Sequence, residues 1–247
     1  MTQRRFPGSG HVYDLIVVGA GLSGAEAAWA CAKAGWDVLL VTTSLDTVCN
    51  LLGDGAVLEP PGGTLMAQVH GDLADERGFV ANLAYHRRAK ALLEEQSGLH
   101  LLQSSASALR VDEGLASGVE TWEGVARLAP RVALCVGSFL QARLRVGALS
   151  ETAGRLSEMA YDDLYDDLVA RGFAFEPLTL EAGAATGSLA YTVTCQRFAD
   201  GEWERESLRL TRLGGLYAAG VCAAGYLPFE AAASEGKRLA ERLLTEG

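Results

Sequence analysis

The sequence predicts an α/β fold: a parallel sheet flanked by helices, carrying an antiparallel meander and a small β-rich insertion. Three observations lead there. Leu15 to Val18 and Val38 to Val41 are short apolar runs on either side of an alanine-rich stretch that Gly35 stops, which reads as strand, helix, strand. Gly19, Gly21 and Gly24 occupy the first strand-to-helix turn in the spacing G-x-G-x-x-G. A short apolar run, Leu216 to Ala219, ends in Gly220 and precedes a last helical segment, Glu230 to Leu244. Together these describe an FAD/NAD(P)-binding, Rossmann-like parallel sheet.

Each glycine of the turn has its own steric task. Gly19 permits the sharp turn, Gly21 lets a pyrophosphate approach the backbone, and Gly24 lets helix and strand pack closely. The helix opening near Leu22 and Ser23 points free N–H groups and its positive dipole end at that pyrophosphate. In many such folds the second strand ends in an acid that holds the adenosine ribose. Here it ends in Thr42 and Thr43. A hydroxyl binds a ribose more weakly than a carboxylate does, which disfavours an ordinary NAD-dependent dehydrogenase.

Residues 44–72 follow with no sustained period and much glycine and proline, so a long functional loop is expected there, at the carboxyl end of a sheet strand. Glu76 to Gln96 reads as a helix that Gly98 ends, and Leu99 to Gln103 as a third parallel strand. Ala108 to Asp112, Val119 to Trp122 and Val125 to Leu128 form the expected meander. Arg131 to Val136 is another sheet strand, ending at Gly137 and Ser138. Glu158 to Gly172 reads as a helix whose four aspartates, Asp162, Asp163, Asp166 and Asp167, make a solvated face without the loop and glycine of a calcium site. Three β-rich runs, Phe175 to Glu181, Leu189 to Phe198 and Trp203 to Leu210, complete the insertion, the last two joined by a turn at Ala199 to Gly201. The expected organisation is a flexible arm at 1–11, a cofactor-binding domain from 12–149 and 211–247, and an inserted subdomain at 150–210.

Composition excludes several classes. The 247 residues are 49% hydrophobic, enough for a sizeable core, yet no apolar run reaches the eighteen or so residues of a membrane span. The first residues lack an apolar signal segment, so a soluble, cytoplasmic protein is expected. The five cysteines show neither C-x-x-C pairs nor metal-ligand spacing with the four histidines, so neither a disulfide framework nor a metal site is expected. A formal net charge of −10 argues against an extended nucleic-acid surface, and Arg87, Arg88 and Lys90 read as a solvated helix face. The two strand-glycine-helix units, far apart in sequence, suit a long ligand such as FAD, with the second helix start facing a flavin edge.

The residues also resemble a known family, the FAD-dependent GidA (MnmG) tRNA-modification proteins and their folate-dependent tRNA methyltransferase relatives. The resemblance rests on DLIVVGAGLSGAEAA, VLLVTTSLDTV, CVGSFLQARLRVG, SETAGRLSEMA and the closing GLYAAGVCAAGYLPFEAAASEG. It implies an FAD-binding domain with Gly19, Gly21 and Gly24 at the pyrophosphate and Thr42 or Thr43 near the ribose. It further implies Ala106 beside the adenine, Gly137 near the cofactor, and Gly220, Val221, Glu230 and Ala231 near the flavin end. The family carries a cysteine in a Cys-Asn-Pro-like loop; here Cys49 and Asn50 lie several residues early and no proline follows. Cys49 therefore reads either as a nucleophile or as a small apolar residue. The family's longer substrate insertion and C-terminal helical region have no counterpart in this sequence. The function implied is a flavin-dependent redox role, or a non-catalytic FAD module of a larger tRNA-modifying assembly. A second copy or a tRNA-modification partner protein would then build any strong tRNA-binding surface.

Overall fold

The computed structural model describes residues 6–8, 10–183 and 189–246. The expected flexible arm falls partly outside them, and what is described of it is tied down: Phe6 packs edge-on to His100, and His11 Nε2 lies 2.6 Å from Asp37 Oδ2. In chain order the first half runs β1 (Leu15–Val18), α1 (Leu22–Lys33), β2 (Val38–Thr42), β3 (Gly55–Val57), α2 (Leu65–Leu73), β4 (Phe79–Ala81), α3 (Asn82–Glu95) and β5 (Leu99–Gln103). The meander follows as β6 (Ala106–Asp112), β7 (Leu115–Thr121) and β8 (Ala126–Leu128), then β9 (Val132–Leu134) returns to the main sheet.

The insertion contains β10 (Arg143–Val146), β11 (Leu149–Glu151), β12 (Ala153–Arg155), β13 (Glu158–Met159), α4 (Asp162–Ala170), β14 (Phe175–Ala182) and β15 (Tyr191–Phe198). The chain closes with β16 (Leu216–Ala218), a single turn α5 (Val221–Ala224) and the long α6 (Phe229–Glu246).

Five strands form the central sheet in the order β16-β9-β1-β2-β5, all parallel. Buried on both faces, such strands read as continuous apolar runs, which is why LIVV and VLLVT stand out in the sequence. One face packs against α1, α2, α3 and α6 in the larger core; the other packs against the meander and α4. A separate four-stranded antiparallel sheet, β11-β10-β15-β14, holds a small core of its own around Leu144, Val193 and Cys195. It starts at Arg143, ahead of the expected boundary at 150.

Several local expectations need correction. The long loop after β2 contains a strand and a helix, because Thr64 caps α2 by accepting the Ala67 N–H at 3.0 Å, a cap hidden behind Pro60 and Pro61. The helix expected from Glu76 begins only at Asn82, since Phe79 to Ala81 pairs with β3. The helix expected from Glu158 begins at Asp162, its first residues being drawn into the β12–β13 pair. Trp203 to Leu210 makes isolated bridges and no strand, and β15 pairs instead with β14 as a hairpin. The α4 aspartates are not simply solvated: Asp167 accepts the Leu109 N–H at 2.9 Å, and its partner Arg171 donates to the Leu109 carbonyl at 2.7 Å, docking α4 on the meander.

Helix α1 is held to α2 by a buried carboxylate. Glu26 is 2% exposed, and its two oxygens accept the N–H groups of Leu65 and Met66, each at 2.7 Å. Those donors open α2, so Glu26 caps a neighbouring helix. Burial raises its carboxyl from 4.5 to about 7, against the lowering effect of the two N–H bonds and of Lys237. Between these values the folded chain holds a proton that the unfolded chain has released, so this group makes stability fall as pH rises from 4.5 to about 7. Urea midpoints measured across that window are expected to decline, and the decline is expected to flatten in Glu26→Gln.

Candidate functional site

A cleft opens at the carboxyl ends of four sheet strands. Gly19 to Ser23 line it after β1, Thr42 and Thr43 at the end of β2, Cys135 to Phe139 after β9, and Gly220 and Val221 after β16. The opposite wall comes from the insertion: Gly154 and Arg155, Glu158, Tyr161, Leu180 to Ala182, Tyr191 and Val193. The cleft encloses about 1310 Å³ of space, part of it open to solvent.

The three glycines of the turn differ in what surrounds them. Gly19 has φ +102°, and a side chain there would fall on the Cys135 carbonyl. A Cβ on Gly24 would strike the Gly19 carbonyl and come within 2.9 Å of the Cys135 Cβ. Gly21 is the opposite case: nothing lies within 4 Å of the position its Cβ would take. That vacant side faces the start of α1, where Gly21 is the N-cap, no side chain caps the helix and no acid occupies the first turn. Unclaimed N–H groups and a positive dipole end thus face open space lined by glycine, a cradle suited to a phosphate.

At the other end, Gly220 has φ +81° and gives its N–H to the buried carboxylate of Glu235 on α6. Ser23 donates to the Ala232 carbonyl at 2.9 Å, fastening the start of α1 to the start of α6. Phe229 and Ala232, one helical turn apart, line the cleft, whereas Glu230 and Ala231 do not. Glu230 instead accepts the Glu59 N–H at 3.3 Å.

Two further implied positions fall elsewhere. Ala106 is fully buried in β6 and does not line the cleft. Beside it, past the carboxyl end of β5, Ser104 donates to Glu123 at 2.6 Å, and the Trp122 N–H to the Ser105 carbonyl at 3.0 Å. Cys49 is 1% exposed, packed in the larger core, and lies outside the cleft lining. Burial pushes its thiol far above the ordinary range, which suits the small apolar reading and not a thiolate nucleophile.

Sequence reasoning missed the wall supplied by the insertion. Arg155 is the single Lys or Arg among the described residues lining the cleft, 3.6 Å from Glu158 and donating to the Asn50 carbonyl at 3.3 Å. Glu158 also accepts from Thr47 at 3.0 Å, so the loop after β2 is stitched to the insertion. Tyr161 is fully buried, which pushes its phenol up; hydrogen bonding with Thr43 opposes the shift. The only sequence signal for these residues was the stretch SETAGRLSEMA, noted for resemblance and not for position.

The chain matches the model of the family described as Glucose inhibited division protein A over residues 14–196. It belongs to the GidA family. The tRNA uridine 5-carboxymethylaminomethyl modification enzyme MnmG of Chlamydia caviae is 34% identical over 191 residues, 67% of this chain and 31% of that protein. The MnmG of Chlamydia trachomatis serovar A is 35% identical over 187 residues, 65% of this chain and 30% of that protein. The chain thus spans about a third of the length of these GidA-family relatives. Among solved structures, the GidA-related protein from Thermus thermophilus superposes with TM-score 0.85 at 42% identity, covering 95% of this chain and 99% of that one. Aquifex aeolicus GidA superposes with TM-score 0.80 over 94% of this chain and 64% of its own, at 15% identity, a likeness of fold.

The glycines separate folding from binding. Gly24→Ala is expected to lower the melting temperature by several degrees, because its Cβ meets backbone that cannot yield, a cost of ~1–3 kcal/mol. Gly21→Val is expected to melt within about ±0.5 kcal/mol of the parent, its side chain entering the cleft alone. Calorimetry of both variants without ligand checks the contrast.

Proposed function

We propose that this chain binds FAD non-covalently in the cleft and passes electrons or a hydride through it. The observation that carries the reading is the Gly21 cradle at the uncapped start of α1, facing a cleft lined by the carboxyl ends of four sheet strands. Membership of the GidA family and 42% identity to a GidA-related protein support it. In this reading Gly19, Gly21, Leu22, Ser23 and Gly24 hold the pyrophosphate. Gly137, Gly220 and Val221 back the flavin end, and residues 12–149 with 211–247 form the cofactor-binding part.

Bound flavin supplies the redox chemistry. The chain's own residues bind and orient: the α1 N–H groups neutralise phosphate charge, and the largely apolar walls from Phe139, Leu180, Tyr191 and Val193 exclude water. Arg155 contributes the single positive side chain on those walls among the described residues. The function is a flavin-dependent role within tRNA modification, carried out with a partner protein or a second copy. The reason is charge: these residues carry a net charge of −10, whereas strong tRNA binding needs clustered Lys and Arg.

Among the described residues no helix is long and apolar enough to cross a membrane, and no group of three or more His, Cys, Asp or Glu side chains is arranged to hold a metal.

Purified protein is expected to show flavin absorbance near ~370 and ~450 nm and to release FAD on denaturation. Gly21→Val is expected to purify colourless. Anaerobic bleaching by NADH or NADPH is the mark of turnover, and its absence would favour the non-catalytic module. Filter binding with tRNA alone is expected to give no better than roughly 10⁻⁴ to 10⁻⁶ M, the range of non-specific association at physiological salt. Sub-micromolar binding with a steep salt slope would contradict it.

A further inference from the structure

Resting on the FAD reading, we infer that Asn50 is the residue that holds the ligand's ribose hydroxyls on the β2 side of the cleft, in place of the acid that commonly ends the second strand. The threonines at that strand end are turned toward neighbours inside the protein. Thr42 is 7% exposed and donates to the Ser44 carbonyl at 3.2 Å, while Thr43 interacts with the buried Tyr161 phenol. Past the nearby carboxyl end of β5, Ser104 and Ser105 have their side-chain hydroxyl and carbonyl, respectively, bonded to the meander turn. What remains polar and uncommitted on this side is Asn50, which lines the cleft and whose side-chain amide has no partner among the described residues.

Its backbone is fixed from several directions. The Asn50 N–H donates to the Thr47 carbonyl at 3.2 Å, and its carbonyl accepts from Arg155 at 3.3 Å. The preceding residue, Cys49, gives its N–H to the Ala20 carbonyl at 2.9 Å, which ties the loop directly to the glycine turn. Cys49 holds φ +53°, a left-handed conformation that a residue with a side chain adopts at a cost of ~1–2 kcal/mol. The buried Cys49 thiol and the bonds on either side over-determine that conformation, and it turns the chain so that Cys49 enters the core while Asn50 faces the cleft. A left-handed residue beside a pinned, unpartnered amide is the arrangement of a positioned binding group.

An amide oxygen accepts from a ribose hydroxyl as a carboxylate does, without a full charge. Asn50 is therefore a specificity-determining residue for the nucleotide half of the ligand, and Thr42 is structural.

The test is a fluorescence titration of stripped protein with FAD for the parent, Asn50→Ala, Asn50→Asp and Thr42→Val, with apo melting temperatures as the folding control. Asn50→Ala is expected to weaken FAD about tenfold, equivalent to ~1.4 kcal/mol. Asn50→Asp, which keeps an acceptor, is expected to stay within about threefold of the parent, as is Thr42→Val. The inference falls if Asn50→Ala binds FAD as the parent does, if Asn50→Asp is as weak as Asn50→Ala, or if Thr42→Val loses as much. A tenfold loss in Asn50→Ala accompanied by a matching fall in apo stability would assign Asn50 a structural role and also overturn it. A parent protein that binds no FAD would refute the underlying functional reading, an outcome visible in the parent titration alone.

Discussion

The structure depends on three backbones meeting where no side chain fits. At the end of β1 the carbonyl of Gly19 lies against Gly24 of α1, and the Cys135 carbonyl lies against Gly19. On the far side of α1, Gly236 of α6 faces the Ser23 carbonyl, and a Cβ there would come within 2.7 Å of the Glu26 Cβ. These approaches set the depth at which α1 sits over the sheet. They place its first N–H groups beside the strand ends instead of above them, where they face the cleft, an electrostatic setting that suits an anion. A residue with a side chain at Gly19, Gly24 or Gly236 would lift the helix and shift that electrostatic centre.

Around this contact the chain uses buried carboxylates as acceptors for backbone N–H groups that secondary structure leaves over. Glu26 serves the start of α2, Glu235 serves Gly220, and Glu202 accepts from Ala174 at 3.1 Å while paired with Arg212. A buried charge is costly unless hydrogen-bonded. Each of these answers a donor that would otherwise be orphaned, at a loop whose position matters to the cleft or to the insertion.

The parallel sheet was legible because both of its faces are buried: runs such as LIVV and VLLVT have no period to misread, and the glycine turn stands between them. The tight glycine turn into α1 was legible because it is local in sequence. What could not be read was whatever forms by pairing across distance. Phe79 to Ala81 has a helical pattern and becomes strand because Gly55 to Val57 lies beside it. Glu158 lines the cleft through the β12–β13 pair, and Ser104 is tied to the meander turn through Glu123. On α6 the distinction between Phe229 and Ala232, which face the cleft, and Glu230 and Ala231, which do not, is a matter of helix rotation set by Ser23 and Glu59. Asn50 drew notice only as the neighbour of Cys49 in a partial loop resemblance, because its orientation follows from the left-handed backbone at Cys49.

The central sheet also constrains how the chain assembles in time. Ile16 of β1 pairs with Val132 of β9, and β9 in turn pairs with β16, so two of the four contacts between sheet strands close very long loops. The β1–α1–β2 unit, the meander and the β14–β15 hairpin each close over far shorter spans. Because long closures carry an entropic cost before any pairing rewards them, the local units are expected to condense first and the β9 and β16 pairings last. Three of the four cleft-forming strand ends belong to those late pairings: β1, β9 and β16. Until those pairings form, β1 exposes the apolar edge that β9 covers and β9 the edge that β16 covers, and these open edges are the aggregation-prone surfaces of the folding chain.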